Sequence, residues 1–284
     1  MITIVGLIIV FFSVIFGYIL HHGNLAVLYQ PVEILIIGGA AVGALVASST
    51  PYILKGIGHE LIGVIKGSGV TKEKYIQLIL LFNELFRMAT SNPVSVEPHV
   101  ENPDSSALFQ KYPLILKDHH AVDFICNTML TQLSAPMSPY DLEDLLDQDI
   151  EVMHHEEKVV PASMGRFSDA LPGLGIVAAV LGIVITMGKL DQGKEAIGQS
   201  VAAALVGTFL GILMCYGIFQ PISAKVESNI EEKGKILLAI KAGLIAYAKG
   251  AKAPAIVEFT RRNIPLEFRP SMKEVEEAIK GKAA

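Results

Sequence analysis

Four polar side chains stand alone inside two long apolar runs of this sequence. Thr186 lies in LPGLGIVAAVLGIVITMG, and Thr208, Tyr216 and Gln220 lie in VAAALVGTFLGILMCYGIFQP. Hydroxyls and an amide at such depth can line a wet path, but relaying protons or guiding ions generally takes an intramembrane carboxylate or His. Neither run holds Asp, Glu, Lys, Arg or His. If ions pass between these runs, another polypeptide must supply the titrating group. A lone Thr in a span commonly bonds a carbonyl of its own helix, which is the plain reading of Thr186. Thr208 falls within the Gly207–Gly211 spacing, a small-xxx-small face that lets helices approach closely in lipid. It should face a neighbouring helix or a pore.

Two prolines bracket these runs at one membrane level, Pro172 at the start of the first and Pro221 at the end of the second. Each has a plain reading, as an N1 proline and as a proline just past a helix end. Helical pattern resumes directly after Pro221, however, so a continuous helix there would leave the Gly217 carbonyl without its donor. If a helix also runs into the first run, Pro172 frees the Ser168 carbonyl in the same way. Free carbonyls at that depth need water or a partner, and so fit a wet vestibule or a hinge.

Other reactive residues carry less. Three His pairs (His21-His22, His119-His120, His154-His155) suggest metal at first sight. Adjacent positions on a helix diverge by about 100°, which suits chelation poorly, and no spacing matches a zinc signature. The acids from Asp141 to Glu151 read as a solvated face. No phosphate loop, nucleophile elbow or dinucleotide fingerprint occurs, so no enzyme, metal or cofactor is expected.

The elements that must position these residues are membrane helices. The 284 residues are 51% hydrophobic and 18% charged, against about 25% charged in soluble domains. Four runs reach the roughly 20 apolar residues of a span: residues 2–20, 34–52, 171–187 and 201–220. The first lacks a basic flank and a small-residue cleavage site, so it reads as a span rather than a signal peptide. The link after span one has no Lys or Arg, and the link after span three only Lys189 and Lys194. The remaining basic residues fall between spans two and three or after span four. This places both termini and the middle segment in the cytoplasm. Cys126 is then cytoplasmic and Cys215 intramembrane, so no disulfide is expected. A net charge of −5 argues against nucleic acid as partner.

Pro31 fits an N1 position and Glu33 the first turn of span two. Gly39 and Gly43 repeat the small-residue spacing there. Spans three and four are richer in Gly and Ala than spans one and two, so they should pack inward while the first pair faces lipid. The middle segment reads as helical: EKYIQLILLFNELFRMA, broken by Pro93, Pro98 and Pro103, then HHAVDFICNTMLTQL, then a helix opened by Ser138-Pro139-Tyr140-Asp141 and directed towards span three. After span four, helical periodicity continues to Gly250, and a capping box at Ser271 and Glu274 opens a last helix. The chain is therefore an all-α membrane protein with four transmembrane helices, a helical cytoplasmic domain between spans two and three, and a long cytoplasmic extension of span four. The expected divisions are 1–52, 53–170, 171–221 and 222–284.

Over nearly its whole length the sequence resembles the MotA family, the A subunits of bacterial flagellar stators. The resemblance is carried by GNLAVLYQPVE, HVENP, KYPLIL, LPGLGIVAAVLGIVITMG, VGTFLGILMCYGIFQP, VEFTRRNI and RPSMKEVEEAI. More distantly, spans three and four resemble the TolQ/ExbB energising subunits. The resemblance implies a ring of five subunits around a dimer of a MotB-type partner, which has a single span with an aspartate and a peptidoglycan-binding domain. It implies an inner-membrane location, and ion flow that turns the ring against the rotor protein FliG.

The family's two prolines match Pro172 and Pro221, and its polar positions near the ion path match Thr208 and Tyr216. Sodium-driven relatives tend to carry a Thr on the span-three wall where this sequence has Ala179, which points to protons. The family's rotor-contacting Glu matches Glu97, whereas its Arg falls at Ala89, with Arg87 two residues earlier on another face. Three other readings stand beside this one: a TolQ/ExbB-type energising subunit, which has three spans, an autonomous secondary transporter, and a structural scaffold.

Overall fold

The computed structural model describes residues 2–188 and 194–283, and every regular element among them is helical. It falls into two compact units, one of residues 1–68 with 156–230, the other of residues 69–155 with 231–284. Lys189, used above for orientation, lies outside the described residues.

Among the described residues four helices are long and apolar enough to cross a membrane, and their apolar stretches lie in the first unit. Helix α1 (Ile2–Leu20) buries no residue. Helix α2 (Leu25–Leu28) is a single turn capped by the Asn24 side chain, which accepts from the Ala26 N–H at 3.0 Å. Helix α3 (Pro31–Ser48) buries only Glu33, Ile37 and Ala41, a stripe at i, i+4 and i+8. These two helices are open along most of their surface, as expected of spans one and two. The structure shortens span two. It stops at Ser48 rather than reaching Tyr52, because Ser49 and Thr50 are extended. Thr50 precedes a proline, which disfavours helical backbone, and its hydroxyl caps the next helix, α4 (Pro51–Lys66). Tyr52 therefore belongs to α4.

The second unit is organised by α5 (Lys72–Ser91), capped at Thr71. Its Tyr75, Leu78, Leu81, Phe82, Leu85 and Phe86 are fully buried. Short turns lead through α6 (Glu97–Glu101) and α7 (Pro113–Leu116) to α8 (His119–Ser134). Helix α9 (Pro139–Met187) opens as anticipated: Ser138 Oγ accepts from the Asp141 N–H and donates to its carboxylate. It then runs on as one helix of 49 residues through two interior prolines, Pro161 and Pro172.

Helix α10 (Lys194–Ile212) passes into a π-helical stretch, Leu213–Phe219, and then into α11 (Gln220–Ala248). Gly250 ends α11 at a positive φ of 78°, the left-handed cap that glycine adopts without strain. Helices α12 (Ala253–Arg262) and α13 (Met272–Ala283) complete the unit. The reciprocal bonds between Ser271 and Glu274 are those of the expected capping box. The acidic face of α9 is solvated as read, with Asp141, Asp144, Asp147, Asp149 and Glu151 exposed, and Lys241 sits 2.6 Å from Asp147.

Two predictions follow from the second unit. A Cβ on Gly243 would stand 2.4 Å from the Phe82 ring and 2.5 Å from Thr260 Oγ1, so Gly243→Ala should cost about 1–3 kcal/mol of stability by overpacking, read as a lowered thermal transition. Hydrogen bonds from Arg261 and Arg262 hold the Glu258 carboxyl at about 2. Its native value lies below the unfolded one. The stability it contributes is therefore complete above about 4.5 and lost as pH falls through about 2. Glu258→Gln should flatten that part of the acid-unfolding profile.

Candidate functional site

The site is built where α9 and α10 run with their backbones in contact. A Cβ added to Gly211 would lie 2.6 Å from the Leu171 carbonyl oxygen, and one on Gly175 would lie 2.9 Å from the Gly207 carbonyl oxygen. One on Gly182 would lie 2.9 Å from the Ala204 Cβ. Only glycine fits such an approach, and small residues are what draw helices together where lipid supplies no hydrophobic drive. Gly39 and Gly43 have nothing within 4 Å of an added Cβ. The small-residue spacing of span two is therefore not used within this chain.

At the proline end of this pair, Ser168 Oγ donates to the Cys215 carbonyl at 3.3 Å and lies 3.4 Å from its Sγ. Ser168 is the residue whose carbonyl Pro172 deprives of a donor. Cys215 lies in the π-helical stretch, where its carbonyl also accepts from the Gln220 N–H, five residues on. Ser223 Oγ, two residues past Pro221, donates to the Pro161 carbonyl at 3.1 Å. The stretch before Pro172 is thus bonded, between side chain and backbone, to the segments on either side of Pro221. A π-bulge and a proline both interrupt the regular ladder, and here they adjoin. Residue types did not reveal the π-helix or the part played by Pro161.

The anticipated residues divide by environment. Thr186 is buried and donates to the Gly182 carbonyl of its own helix at 2.7 Å, the plain reading. Thr208 is half-buried, its Cα 3.4 Å from the Cβ that Gly175 lacks. Pro172 and Ala179 are half-buried, whereas Tyr216 and Pro221 are exposed. In the second unit Glu97 is exposed at the start of α6. Ala89 is 1% exposed within the core and presents nothing to a partner. Arg87 is exposed and lines a groove with Glu258, Arg261 and Glu276. Burial pushes the Cys126 thiol up to about 12, which leaves it inert.

One site residue went unrecognised in the sequence. Glu33 is 7% exposed, and its Oε2 has no hydrogen-bond partner. A Cβ on Gly207 would come within 3.0 Å of that oxygen, and within 3.4 Å of the Ala178 methyl and the Ala179 nitrogen. An ionised carboxylate with one oxygen buried and unpartnered is disfavoured, beyond what a helix N-terminus returns. The signal was an acid two residues after a proline at the edge of an apolar run, which also reads as a favourable first turn.

Residues 4–93 match the family Motility protein A N-terminal, and residues 117–237 match the MotA/TolQ/ExbB proton channel family. A motility protein A from Salmonella typhimurium is 35% identical over 99% of this chain and 95% of its own. The chain belongs to the motility protein A family. A second relative, the chemotaxis protein LafT of Vibrio parahaemolyticus, is 36% identical over 95% of each chain. The fold is similar to that in the structure of C. jejuni MotAB, with a TM-score of 0.76 at 22% identity over 95% of this chain and 98% of that one. It is also similar to that in the flagellar MotAB stator complex from Bacillus subtilis, with a TM-score of 0.71 at 20% identity and the same coverage. As a motility protein A the chain is a multi-pass membrane subunit of a flagellar stator channel and not an enzyme.

The glycine contacts yield a prediction. Gly211→Ala sets a methyl against backbone that has no rotamer to yield, and should lower the thermal stability of the purified chain by about 1–3 kcal/mol. Gly39→Ala, made into open space, should leave it unchanged.

Proposed function

We propose that this chain forms a proton-driven stator in the bacterial inner membrane, with both termini in the cytoplasm. Five copies surround a dimer of a MotB-type single-span partner anchored to peptidoglycan. The partner's intramembrane aspartate carries protons past Thr208, Tyr216 and Ala179. Each protonation step changes the packing of α9 against α10, and the ring advances against FliG through Glu97 and Arg87.

The observation that carries this reading is the proline-flanked helix pair itself. Spans three and four contain no acid of their own and are cross-bonded at Ser168 and Ser223 where their ladders are interrupted. They also leave Ile176, Val177, Val180 and Val184 exposed. An apolar face of this kind on a membrane helix suits a neighbouring subunit, and the small Ala179 beside it leaves no oxygen to coordinate sodium. The full-length match to motility proteins A favours this reading over a TolQ/ExbB-type energising subunit.

Pro172→Ala and Pro221→Ala should each abolish swimming while the subunit still copurifies with its partner. Normal motility in both would overturn the coupling role of the prolines. Swimming should stop on adding a protonophore and continue when sodium is replaced by potassium, and the opposite pattern would make sodium the ion. Glu97→Lys should reduce torque, with recovery on reversing an opposing rotor charge. If no opposing reversal restores torque, Glu97 does not meet the rotor.

A further inference from the structure

We propose that Glu33 is a proton-binding site within this chain, a second titrating group beside the one the partner is expected to supply. The proposal rests on three observations. The carboxylate is buried although it stands in the first turn of a membrane helix. Its Oε2 is without a hydrogen-bond partner. And that oxygen lies against Gly207, where an added Cβ would come within 3.0 Å of it. The carboxylate therefore lies at the α9–α10 seam through which ion flow is proposed.

The surroundings select the occupant. Sodium or a divalent ion needs several converging oxygens, and Oε2 has no polar partner within hydrogen-bond distance among the described residues. Among the described residues no counter-charge pairs with Glu33. Residues 170–187 of α9, residues 197–212 of α10 and all of α2 contain no ionisable side chain, and α3 has no other. A carboxyl group in such a place is accommodated as the neutral acid. The bond that forms is O–H on Glu33. It breaks by returning the proton to water, at the end of α3 that adjoins the short link from span one. The group is thus poised to load and unload as α10 moves against α3, since any shift of Gly207 opens or closes the space beside it. The motor role of this site rests on the channel reading above, whereas proton binding itself does not.

The two parts separate experimentally. Infrared difference spectra of the purified full-length complex in vesicles, wild type minus Glu33→Gln, should show a protonated-carboxyl band at neutral pH. Exchanging sodium for potassium at fixed pH should leave that band in place. A spectrum showing only carboxylate, or a band that moves with sodium, overturns the proton site whether or not the complex is a motor.

In cells, Glu33→Gln keeps the shape of the neutral acid and should still copurify with the partner. It should lose the dependence of swimming speed on external pH, whereas Glu33→Asp should retain it. An unchanged pH profile in Glu33→Gln overturns the motor role and leaves the proline-based reading intact. Should Glu33→Gln fail to accumulate, Gly207→Ala, which intrudes on the carboxylate from α10, takes its place in both measurements with the same expected results.

Discussion

Backbone contact between α9 and α10 is the constraint on which the membrane unit depends. Lipid is as apolar as a leucine side chain, so two spans gain nothing by hiding apolar surface from it. What holds them is dispersion at close range, which falls off within a fraction of an ångström. Gly175, Gly182, Gly207 and Gly211 supply that range. Every polar feature of the site depends on the separation they set. Ser168 reaches the Cys215 carbonyl because the helix axes are near, and Glu33 lies against residue 207 because that residue lacks a side chain.

The same closeness gives the prolines their meaning. In isolation each removes a donor and weakens its own helix. Here the weakened turns are bonded across the pair, by Ser168 on one side and Ser223 on the other. A π-helical stretch, Leu213–Phe219, ends two residues before Pro221. Such a segment holds one residue more than a regular helix of the same rise. It can hand that residue along the chain at low cost where a proline already breaks the ladder. The Ser168 hydrogen bond from α9 ends on this segment, at Cys215, so a change in its register must be felt in α9.

Much of this was legible in the sequence, and the reason differs by element. Span existence follows from length and apolarity, caps such as Ser138 and Ser271 from local side-chain geometry, and the inward pair from its Gly and Ala content. The end of span two was misplaced because hydropathy does not register that Thr50, preceding a proline, must be extended. Gly39-Gly43 and Gly207-Gly211 look alike in one dimension. Only the second meets another helix, and spacing alone cannot say which face a neighbour takes. The acids of α9 are exposed as read, whereas their ion pairs with Lys241 and Lys249 could not be foreseen because those residues lie far along the chain.

Glu33 shows why the missing acid of spans three and four had two answers. Reading each span separately, a titrating group for their seam could only be foreign. Folding brings a third helix to the seam, and its one acid enters where glycine makes room. A carboxyl from the end of a neighbouring helix has an advantage over one placed in the seam itself. It stands within reach of the aqueous link before α3, so its proton can be exchanged without opening the whole pair. It is also carried on a helix that is otherwise open to its surroundings, so it can stay still while the packed pair moves. Division of labour between a fixed proton site on α3 and a moving, acid-free pair is what the placement of Glu33 beside Gly207 makes mechanically available.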